Sequence, residues 1–251
     1  WDRFVSLPVP TRKNQDWRFA DLTHLRFDGC ALAEPVSSSA ARQLIDRAMA
    51  GRPESVAAHF VFANNRLIHA ETSGLPEGVV CLPIDEAIAA HPEQVRSHFL
   101  RQDDLLGGEK FSALHASADL SGLFVHASKG AVVEHPIVVH HFVGGANTAV
   151  FPQTLVIAED HASVSVMDHF ESIDGDEETL VVGKCDLQAD RGGRLQYVAV
   201  QELSDLGAKY VHFQHTVAGR DAAAKVGFVN LGAEWVRGES VSRMLDTGAD
   251  C

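Results

Sequence analysis

Hydrophobic and polar positions recur at a regular interval in the second half of the chain. Each unit has an apolar strand end, a polar turn rich in Gly, Asp or Ala, and a new apolar strand. The positions that align as equivalent are Val125, Ile157, Leu187, Val217 and Leu245, separated by steps of 32, 30, 30 and 28 residues. A period of this size is typical of repeat architectures, in which each unit buries its apolar face against its neighbours.

The repeating unit is built from strands. Apolar and polar side chains alternate with period two, and β-branched residues are frequent. The predicted strands come in pairs, at 179–188 and 193–202, then at 210–218 and 223–230. This pattern predicts a mainly β protein, a flattened parallel β-helix with two facing sheets and right-handed connections. Val125, Ile157, Leu187 and Val217 are predicted to form one inward-pointing column.

An antiparallel sandwich made of hairpins is the competing all-β interpretation. It would give the same alternation within each strand. The turn chemistry recurs at one spacing, however, and this recurrence favours the solenoid.

The first part of the chain has a mixed pattern. The predicted elements are a helix capped within Ser37 to Ser39 and ended by Gly51 and Pro53, a hairpin that turns at Asn64 and Asn65, a strand at 79–84, and helical segments at 85–90 and 92–101. We therefore predict a small α/β region over residues 1–115. A β-helix core over residues 116–251 follows it, and no polar cap is visible after the last turn, so we expect this core to be incomplete at its C-terminus.

Composition narrows the function classes. The chain has 251 residues, of which 45% are hydrophobic and 22% charged, and a formal net charge of −13. An acidic balance argues against a general nucleic-acid or anionic-membrane surface, and no apolar run is long enough for a transmembrane helix. The four cysteines are scattered without a C-x-x-C motif. This cysteine usage favours a reducing, cytoplasmic setting.

The sequence contains none of the common catalytic motifs that we searched for, namely G-x-S-x-G, H-E-x-x-H and G-x-G-x-x-G. Residues Gly107 to Ser112 superficially resemble a phosphate loop that contains Lys110. The G-x-x-x-x-G-K-[ST] spacing that curls backbone amides around a phosphate is missing. We interpret this segment as a turn before a helix.

Fourteen histidines raise the question of a metal site. His140 and His141 are adjacent on a predicted strand, so their side chains leave on opposite faces and cannot both bind one ion. Asp168, His169 and Glu171 offer oxygen and nitrogen ligands, and the last two share a face. A metal needs several converging ligands in a fixed geometry, so the simpler interpretation is a solvated strand face.

One cysteine and one histidine share a column in the repeat alignment. Cys185 and His215 each lie two residues before the shared apolar position, and stacked strands are roughly 4.8 Å apart. A thiolate beside an imidazole could bind iron or transfer sulfur. Because two ligands do not make a site, we favour a buried core cysteine beside a hydrogen-bonded histidine. We assign no catalytic and no metal-binding residue, and the sequence leaves any cofactor-binding residue open.

Several segments together resemble the SufB/SufD family, and its SufD branch most. The segments are Pro10 to Leu22 with Trp17 as an anchor, Phe111 to His115, Gly122 to His126, Gly130 to Ile137, and His169 to Glu171. The resemblance runs from about Leu7 to the end of the chain. It is carried by the combination of segments, since no single motif is specific.

The resemblance implies a non-catalytic scaffold subunit of the SufB–SufC–SufD complex for iron–sulfur cluster assembly. The implied partners are SufB-like and SufC-like subunits. No cofactor is expected on this chain alone: the cluster would form transiently at the assembled complex, and ATP would bind the SufC partner. In the family, the SufC-docking helices and the residues that help to build the cluster come after the stretch seen here, so no site residue is carried over.

A β-helix enzyme acting on carbohydrate or acyl substrates is the alternative. A hexapeptide acyltransferase would show a much shorter period, and a polysaccharide lyase would need carboxylates converging on one sheet face. A free-standing interaction module would differ from the scaffold only in its partner. The last predicted strand, 236–245, leaves an open edge, so we also expect this chain alone to associate with itself through residues near 234–251.

Overall fold

The computed structural model describes residues 1–23, 30–100, 106–118, 121–175 and 177–251. The helices are α1 (Asp2–Ser6), α2 (Ser38–Gly51), α3 (Ile84–Ala90), α4 (Pro92–His98) and α5 (Glu109–Ser117), with a short 3-10 helix at Gln15–Trp17. The strands are β1 (Ala31–Leu32), β2 (Ala58–Ala63), β3 (Arg66–Glu71), β4 (Val79–Pro83), β5 (Ser121–Ala127), β6 (Ile137–Val143), β7 (Thr148–Val150), β8 (Pro152–Ala158), β9 (Ser163–Ser172), β10 (Thr179–Ala189), β11 (Arg194–Glu202), β12 (Ala208–Ala218), β13 (Ala223–Asn230) and β14 (Trp235–Met244).

Two sheets of mostly parallel strands form a β-solenoid of about four turns, which confirms the predicted fold class. In the first sheet, β4, β5, β8, β10, β12 and β14 lie side by side, and β7 joins β10 to β1. In the second sheet the order is β3, β2, β6, β9, β11 and β13. The chain alternates between the sheets, so each turn adds one strand to each of them.

The interior between the sheets is filled by alternate residues of every strand. Leu123, Val125, Val156 and Leu187 of the first sheet belong to one buried cluster with Val166 and other residues of the second sheet. Period-two alternation explains this arrangement, because successive side chains of a strand point to opposite faces.

The predicted inward column is wrong in its register. Val125 pairs with Val156, which pairs with Leu187, which pairs with Thr216. Ile157 is one residue out of this column and packs on the outer face of the first sheet, against the helices α3 and α4. Val217 is likewise one residue past the column, beside Thr216. A shift of one residue moves a side chain to the other face of the sheet.

The first part of the chain adds strands to both sheets. β2 pairs in parallel with β6 and forms the predicted hairpin with β3, with φ values of 48° at Asn64 and 63° at Asn65. β4 pairs antiparallel with β5. The predicted helix after Ser37 is present, and the Ser37 hydroxyl accepts a hydrogen bond from the Ala40 amide at 3.3 Å. The two predicted regions therefore share both sheets.

Helices cover the outer faces of the sheets at different places. α3 and α4 follow β4 as predicted, but α4 ends at His98, before the end of the expected 92–101 segment, of which residue 101 lies outside the described residues. α5 packs on the first sheet beside the N-terminal segment, and α2 packs on the second sheet at β2 and β6.

Trp17 anchors the N-terminal segment, as the sequence predicts. Its ring is 1% exposed and stacks on Phe111 and Trp235, with centroids 5.6 and 6.4 Å away. Its indole N–H donates to the Gly107 carbonyl at 2.9 Å. The guanidinium of Arg237 lies 3.8 Å from the ring centroid. Trp17 thereby joins the N-terminal segment to α5 and to β14. In the sequence, α5 comes just before the solenoid strands and β14 is the last of them.

Across the described ranges, no helix combines the length and apolarity needed to cross a membrane.

Candidate functional site

A group of polar side chains lies in the interior between the two sheets, and we call it the inner cluster. Asp168 of β9 is its centre and is 1% exposed. One oxygen, Oδ2, accepts hydrogen bonds from the Thr154 and Tyr197 hydroxyls, both at 2.6 Å. The other oxygen, Oδ1, lies 3.5 Å from Nε2 of His141. The carboxylate therefore connects β6, β8, β9 and β11 across the interior.

Cys185 of β10 and His212 of β12 complete the inner cluster. The Cys185 Sγ lies 3.9 Å from the Nε2 of His212, and a hydrogen bond of 3.0 Å joins the Tyr210 hydroxyl to the Nδ1 of His212. All three residues are at most 1% exposed. His212 also contacts the Phe228 ring edge to face, with centroids 5.6 Å apart.

The electrostatics of the inner cluster follow from burial. Burial alone would raise the pKa of Asp168, but the imidazole of His141 and the hydroxyls of Thr154 and Tyr197 hold it below its usual value. Burial, together with the Asp168 charge, raises the pKa of the Cys185 thiol well above its usual value. Burial lowers the pKa of His212 to about 4. At neutral pH the cluster therefore holds a carboxylate, a thiol and a neutral imidazole.

These protonation states are those of a structural group rather than of a catalytic or metal-binding site. A thiol is a much weaker nucleophile and metal ligand than a thiolate, and burial keeps this thiol protonated. The hydrogen bonds of Asp168 are directed at neighbouring strands rather than at an opening. The inner cluster thus fixes the register of the two sheets against each other.

The predicted pairing of Cys185 with His215 is wrong. Cys185 points inward and pairs in register with Gln214, whereas His215 pairs with Asp186 and points outward with it. The His215 Nδ1 lies 3.6 Å from the Asp186 Oδ1. Both predicted residues are buried, at 0% and 1% exposure, but on opposite faces of the sheet. The one-residue error in the repeat alignment caused the wrong pairing, and His212 takes the place expected for His215.

A second polar group lies on the outer face of the second sheet, and we call it the outer triad. It consists of His140, His169 and Glu171. His140 and His169 are opposite each other on β6 and β9. The Glu171 Oε1 lies 3.4 Å from the Nδ1 of His140 and 3.6 Å from the Nδ1 of His169. His140 is 1% exposed, and its nitrogens have no hydrogen-bond partner within the described ranges.

Charged groups surround the outer triad. The Nε2 of His169 lies 2.8 Å from the Glu202 carboxylate on β11. Arg47 of α2 forms an ion pair with the other oxygen of Glu171, Oε2. Burial alone would raise the pKa of Glu171, but His140, Arg47 and His169 hold it below its usual value. The triad is therefore a carboxylate with two imidazoles, closed on one side by the helix α2.

A related group lies beside the outer triad at the edge of the second sheet, and we call it the edge triad. It consists of His59, His69 and Glu71, on β2 and β3. Arg52, the residue that follows α2, donates to Glu71 at 2.9 Å, and Arg47 of α2 pairs with Glu171 in the same way. His59 is fully buried, and burial lowers its pKa to about 4.

The two triads are continuous through ring contacts. His59 lies edge to face with His140, with centroids 5.2 Å apart, and His140 lies 5.1 Å from His169. His141 points into the interior and stacks on Phe170 at 4.6 Å. The prediction that His140 and His141 leave on opposite faces is confirmed.

Lys110 serves a structural role in place of the phosphate-binding role that the segment superficially suggests. α5 begins at Glu109, and the Lys110 ammonium donates to the Phe4 and Leu7 carbonyls at 2.8 and 2.7 Å. The predicted turn before a helix is confirmed. The lysine holds the N-terminal segment on α5.

The sequence reasoning missed His59, His69, Tyr197 and His212 as members of these groups. The signal for the two histidines of the edge triad was weak, because they lie about 80 and 70 residues before His140, whose ring His59 contacts. Tyr197 and His212 both occupy inward positions in their strands. A correct strand register would have placed them beside Asp168 and Cys185.

Comparisons with known proteins agree with the resemblance inferred from the sequence. Residues 141–251 match the family model described as "SUF system FeS cluster assembly, SufBD core domain". The chain is similar to the iron–sulfur cluster assembly protein SufD of Bacillus subtilis (strain 168), with 28% identity over 125 residues. That match covers 49% of this chain and 29% of the relative's length. The predicted likeness to SufD is confirmed.

Proposed function

We propose that this SufD-like chain contributes to iron–sulfur cluster assembly as a non-catalytic scaffold subunit. It would pair with a SufB-like subunit and act with a SufC-like ATPase, in the cytoplasm. The observation that carries the proposal is the coincidence of the family match with the solenoid. The matched residues 141–251 begin in β6 and include every strand from β7 to β14.

The physical character of the solenoid supports a positional role. Its strands are paired continuously in register across each sheet, and the interior is packed with buried side chains and tied by Asp168. Such a body is rigid, because local opening would break ladder hydrogen bonds and expose the core. A rigid body suits a subunit that holds partners in a fixed geometry.

The interior chemistry is consistent with a subunit that does not itself catalyse. The Cys185 thiol is fully buried and protonated, and Lys110 is used to hold the backbone of the N-terminal segment. Cys81 and Cys185 are buried thiols without a disulfide, which supports a reducing compartment.

Co-purification tests the proposal. The full-length protein, co-expressed with the SufB and SufC homologues of the same genome, should be recovered with both through a tag on either partner. The Asp168→Ala variant, whose solenoid is weakened, is the matched control. The amount that co-purifies with the two partners should fall in proportion to the fraction of the variant that is unfolded. Recovery of SufB and SufC together without this chain, when the chain is folded and present in excess, would contradict the proposal.

Nucleotide hydrolysis is the second measurement. The chain alone should not hydrolyse ATP, and Lys110→Ala should change nothing in that assay. Turnover by the highly purified chain that Lys110→Ala abolishes would contradict the non-catalytic assignment.

A further inference from the structure

The outer triad has the donor set of a transition-metal site. Two imidazole nitrogens and one carboxylate oxygen converge, and the donor atoms all lie within 4.8 Å of one another. Imidazole and carboxylate ligands suit first-row metals such as Zn²⁺ and Fe²⁺. We propose that His140, His169 and Glu171 bind one divalent first-row metal ion on the outer face of the second sheet, a site that stands independently of the proposed scaffold function.

The spacing of the donor atoms fits an ion better than it fits hydrogen bonds. The Glu171 Oε1 lies 3.4 Å from the His140 Nδ1 and 3.6 Å from the His169 Nδ1. Hydrogen bonds to a carboxylate are usually about 2.7–2.9 Å long. In a tetrahedral zinc site, ligands about 2.0–2.1 Å from the metal lie roughly 3.3 Å from one another. Small movements would therefore complete the coordination.

His140 supplies an independent argument. Its side chain is 1% exposed, and neither of its ring nitrogens makes a hydrogen bond to any residue that the structure describes. A buried polar group without a partner costs free energy comparable to a lost hydrogen bond. Its Nδ1 faces Glu171 and is on the same side as the Nδ1 of His169, directly across the strand pair. A metal ion at this point would give the buried nitrogen a partner.

The residues behind the ligands have the arrangement that metal sites use to orient imidazoles. The Nε2 of His169 lies 2.8 Å from Glu202, so a proton on Nε2 leaves the Nδ1 lone pair directed at the triad. Arg47 holds the Oε2 of Glu171 and leaves Oε1 toward the histidines. His169 remains 17% exposed, so a water can take the fourth position.

The edge triad serves as the internal comparison. It has the same residue types, and Arg52 lies behind Glu71 as Arg47 lies behind Glu171. None of the described contacts places a carboxylate behind His59 or His69 in the way that Glu202 lies behind His169. We therefore assign the ion to the outer triad and use His69 as the control.

Metal titration of the full chain tests the assignment. The chain is stripped with a chelator and titrated with Zn²⁺ by calorimetry and with Co²⁺ by visible absorption, in which tetrahedral coordination gives intense d–d bands. The wild type should bind one ion at the outer triad with these bands. His169→Asn and Glu171→Gln should each weaken that binding by about 100-fold or more and remove the bands.

Two further variants make the test specific. Glu202→Gln should weaken binding by about 10- to 100-fold, because it disturbs the orientation of His169 without removing a ligand. His69→Asn should leave the affinity within about twofold and the bands unchanged. Circular dichroism of each metal-free variant shows that it is folded, and the two ligand variants change different side chains, so misfolding of one leaves the other as the test.

The contrary outcomes are equally clear. If the stripped wild type shows no binding stronger than His169→Asn, the outer triad holds no metal ion. If His69→Asn removes the ion and His169→Asn does not, the edge triad is the site. Either result overturns the proposal.

Discussion

Asp168 and His169 are neighbours in the sequence, yet the polar groups around them are built in opposite ways. Asp168 points inward, and one of its oxygens accepts two hydrogen bonds of 2.6 Å from neighbouring strands. His169 points outward, and the carboxylate nearest its Nδ1 is 3.6 Å away. One oxygen of Asp168 thus forms short hydrogen bonds, whereas the Glu171 oxygen that faces His140 and His169 is 3.4 and 3.6 Å from their nitrogens, too far for such bonds.

This difference shows that burial alone does not define a role. Asp168 and His140 are equally buried, at 1% exposure. The hydrogen bonds of Asp168 offset the cost of its burial, and the inner cluster therefore stabilises the fold. The nitrogens of His140 have no such bonds among the described residues, and the groups beside it are a carboxylate and a second imidazole. We expect substitutions in the first group to change stability and those in the second to change ligand binding.

The largest expected effect is that of Asp168→Ala. It removes the acceptor of the Thr154 and Tyr197 hydroxyls and leaves both buried donors without a partner. We expect a loss of about 3–5 kcal/mol in the free energy of unfolding, measured by urea denaturation. His169→Ala, one residue further along, is the control and should cost less than about 1 kcal/mol. A loss below about 1 kcal/mol for Asp168→Ala would show that the inner cluster does not join the sheets.

The second prediction concerns pH and the buried imidazole of His212. Its pKa is lowered to about 4 in the folded chain, from about 6.5 when unfolded, so the unfolded state binds more protons between these values. The stability contribution of neutral His212 is therefore complete above pH 6.5 and is lost as the pH falls toward 4, by roughly 3 kcal/mol.

The test compares the wild type with His212→Gln. The groups that act on His212 are the Asp168 charge, which opposes the shift, the imidazole of His215, and the Cys185 and Tyr210 side chains in contact with it. The unfolding free energies of both proteins are measured between pH 7.5 and 4. The difference between the two pH profiles gives the contribution of His212, because the other groups titrate in both proteins. Parallel pH profiles would contradict the prediction.

Tyr197→Phe should have a smaller effect. It removes one donor from Asp168 and leaves the Thr154 hydroxyl in place at 2.6 Å. A hydrogen bond to a charged group contributes about 1.5–3 kcal/mol, so we expect a loss near 2 kcal/mol by urea denaturation. Tyr210→Phe is the matched control, since the Tyr210 hydroxyl forms its hydrogen bond with a neutral imidazole, and it should cost less. If Tyr210→Phe lost more unfolding free energy than Tyr197→Phe, the hydrogen bond to His212 would stabilise the fold more than the bond to Asp168.

Much of the fold follows from the sequence, because alternation and turn spacing are local signals. The strands at 179–188 and 210–218, the hairpin at Asn64 and Asn65 and the anchor at Trp17 are all found. Register is not a local signal. The turns differ in length from one repeat to the next, and an alignment by turn chemistry can slip by one residue without any visible penalty.

This error of one residue in the repeat alignment explains why one candidate site was predicted with the wrong histidine. It placed His215 beside Cys185, whereas the histidine of β12 that contacts Cys185 is His212. The outer triad was partly visible, because His169 and Glu171 alternate on one strand. His140 completes it only through the pairing of β6 with β9, which the sequence pattern does not specify. Contacts between strands far apart in the chain depend on the whole ladder of hydrogen bonds.

The smallest expected effect is that of His169→Asn on the metal-free chain. His169 is partly exposed and its ion pair is with the half-exposed Glu202, and pairs of this kind contribute about 0.2–1 kcal/mol. The metal-free variant should therefore unfold within about 1 kcal/mol of the wild type. With Zn²⁺ at about 100 times its dissociation constant, the wild type should gain about 2.7 kcal/mol and the variant almost nothing, because only the folded chain brings the ligands together. Thermal unfolding with and without Zn²⁺ measures both effects. If Zn²⁺ stabilises the two proteins equally, the ion binds elsewhere. The two faces of β9 would then differ only in how their side chains pack.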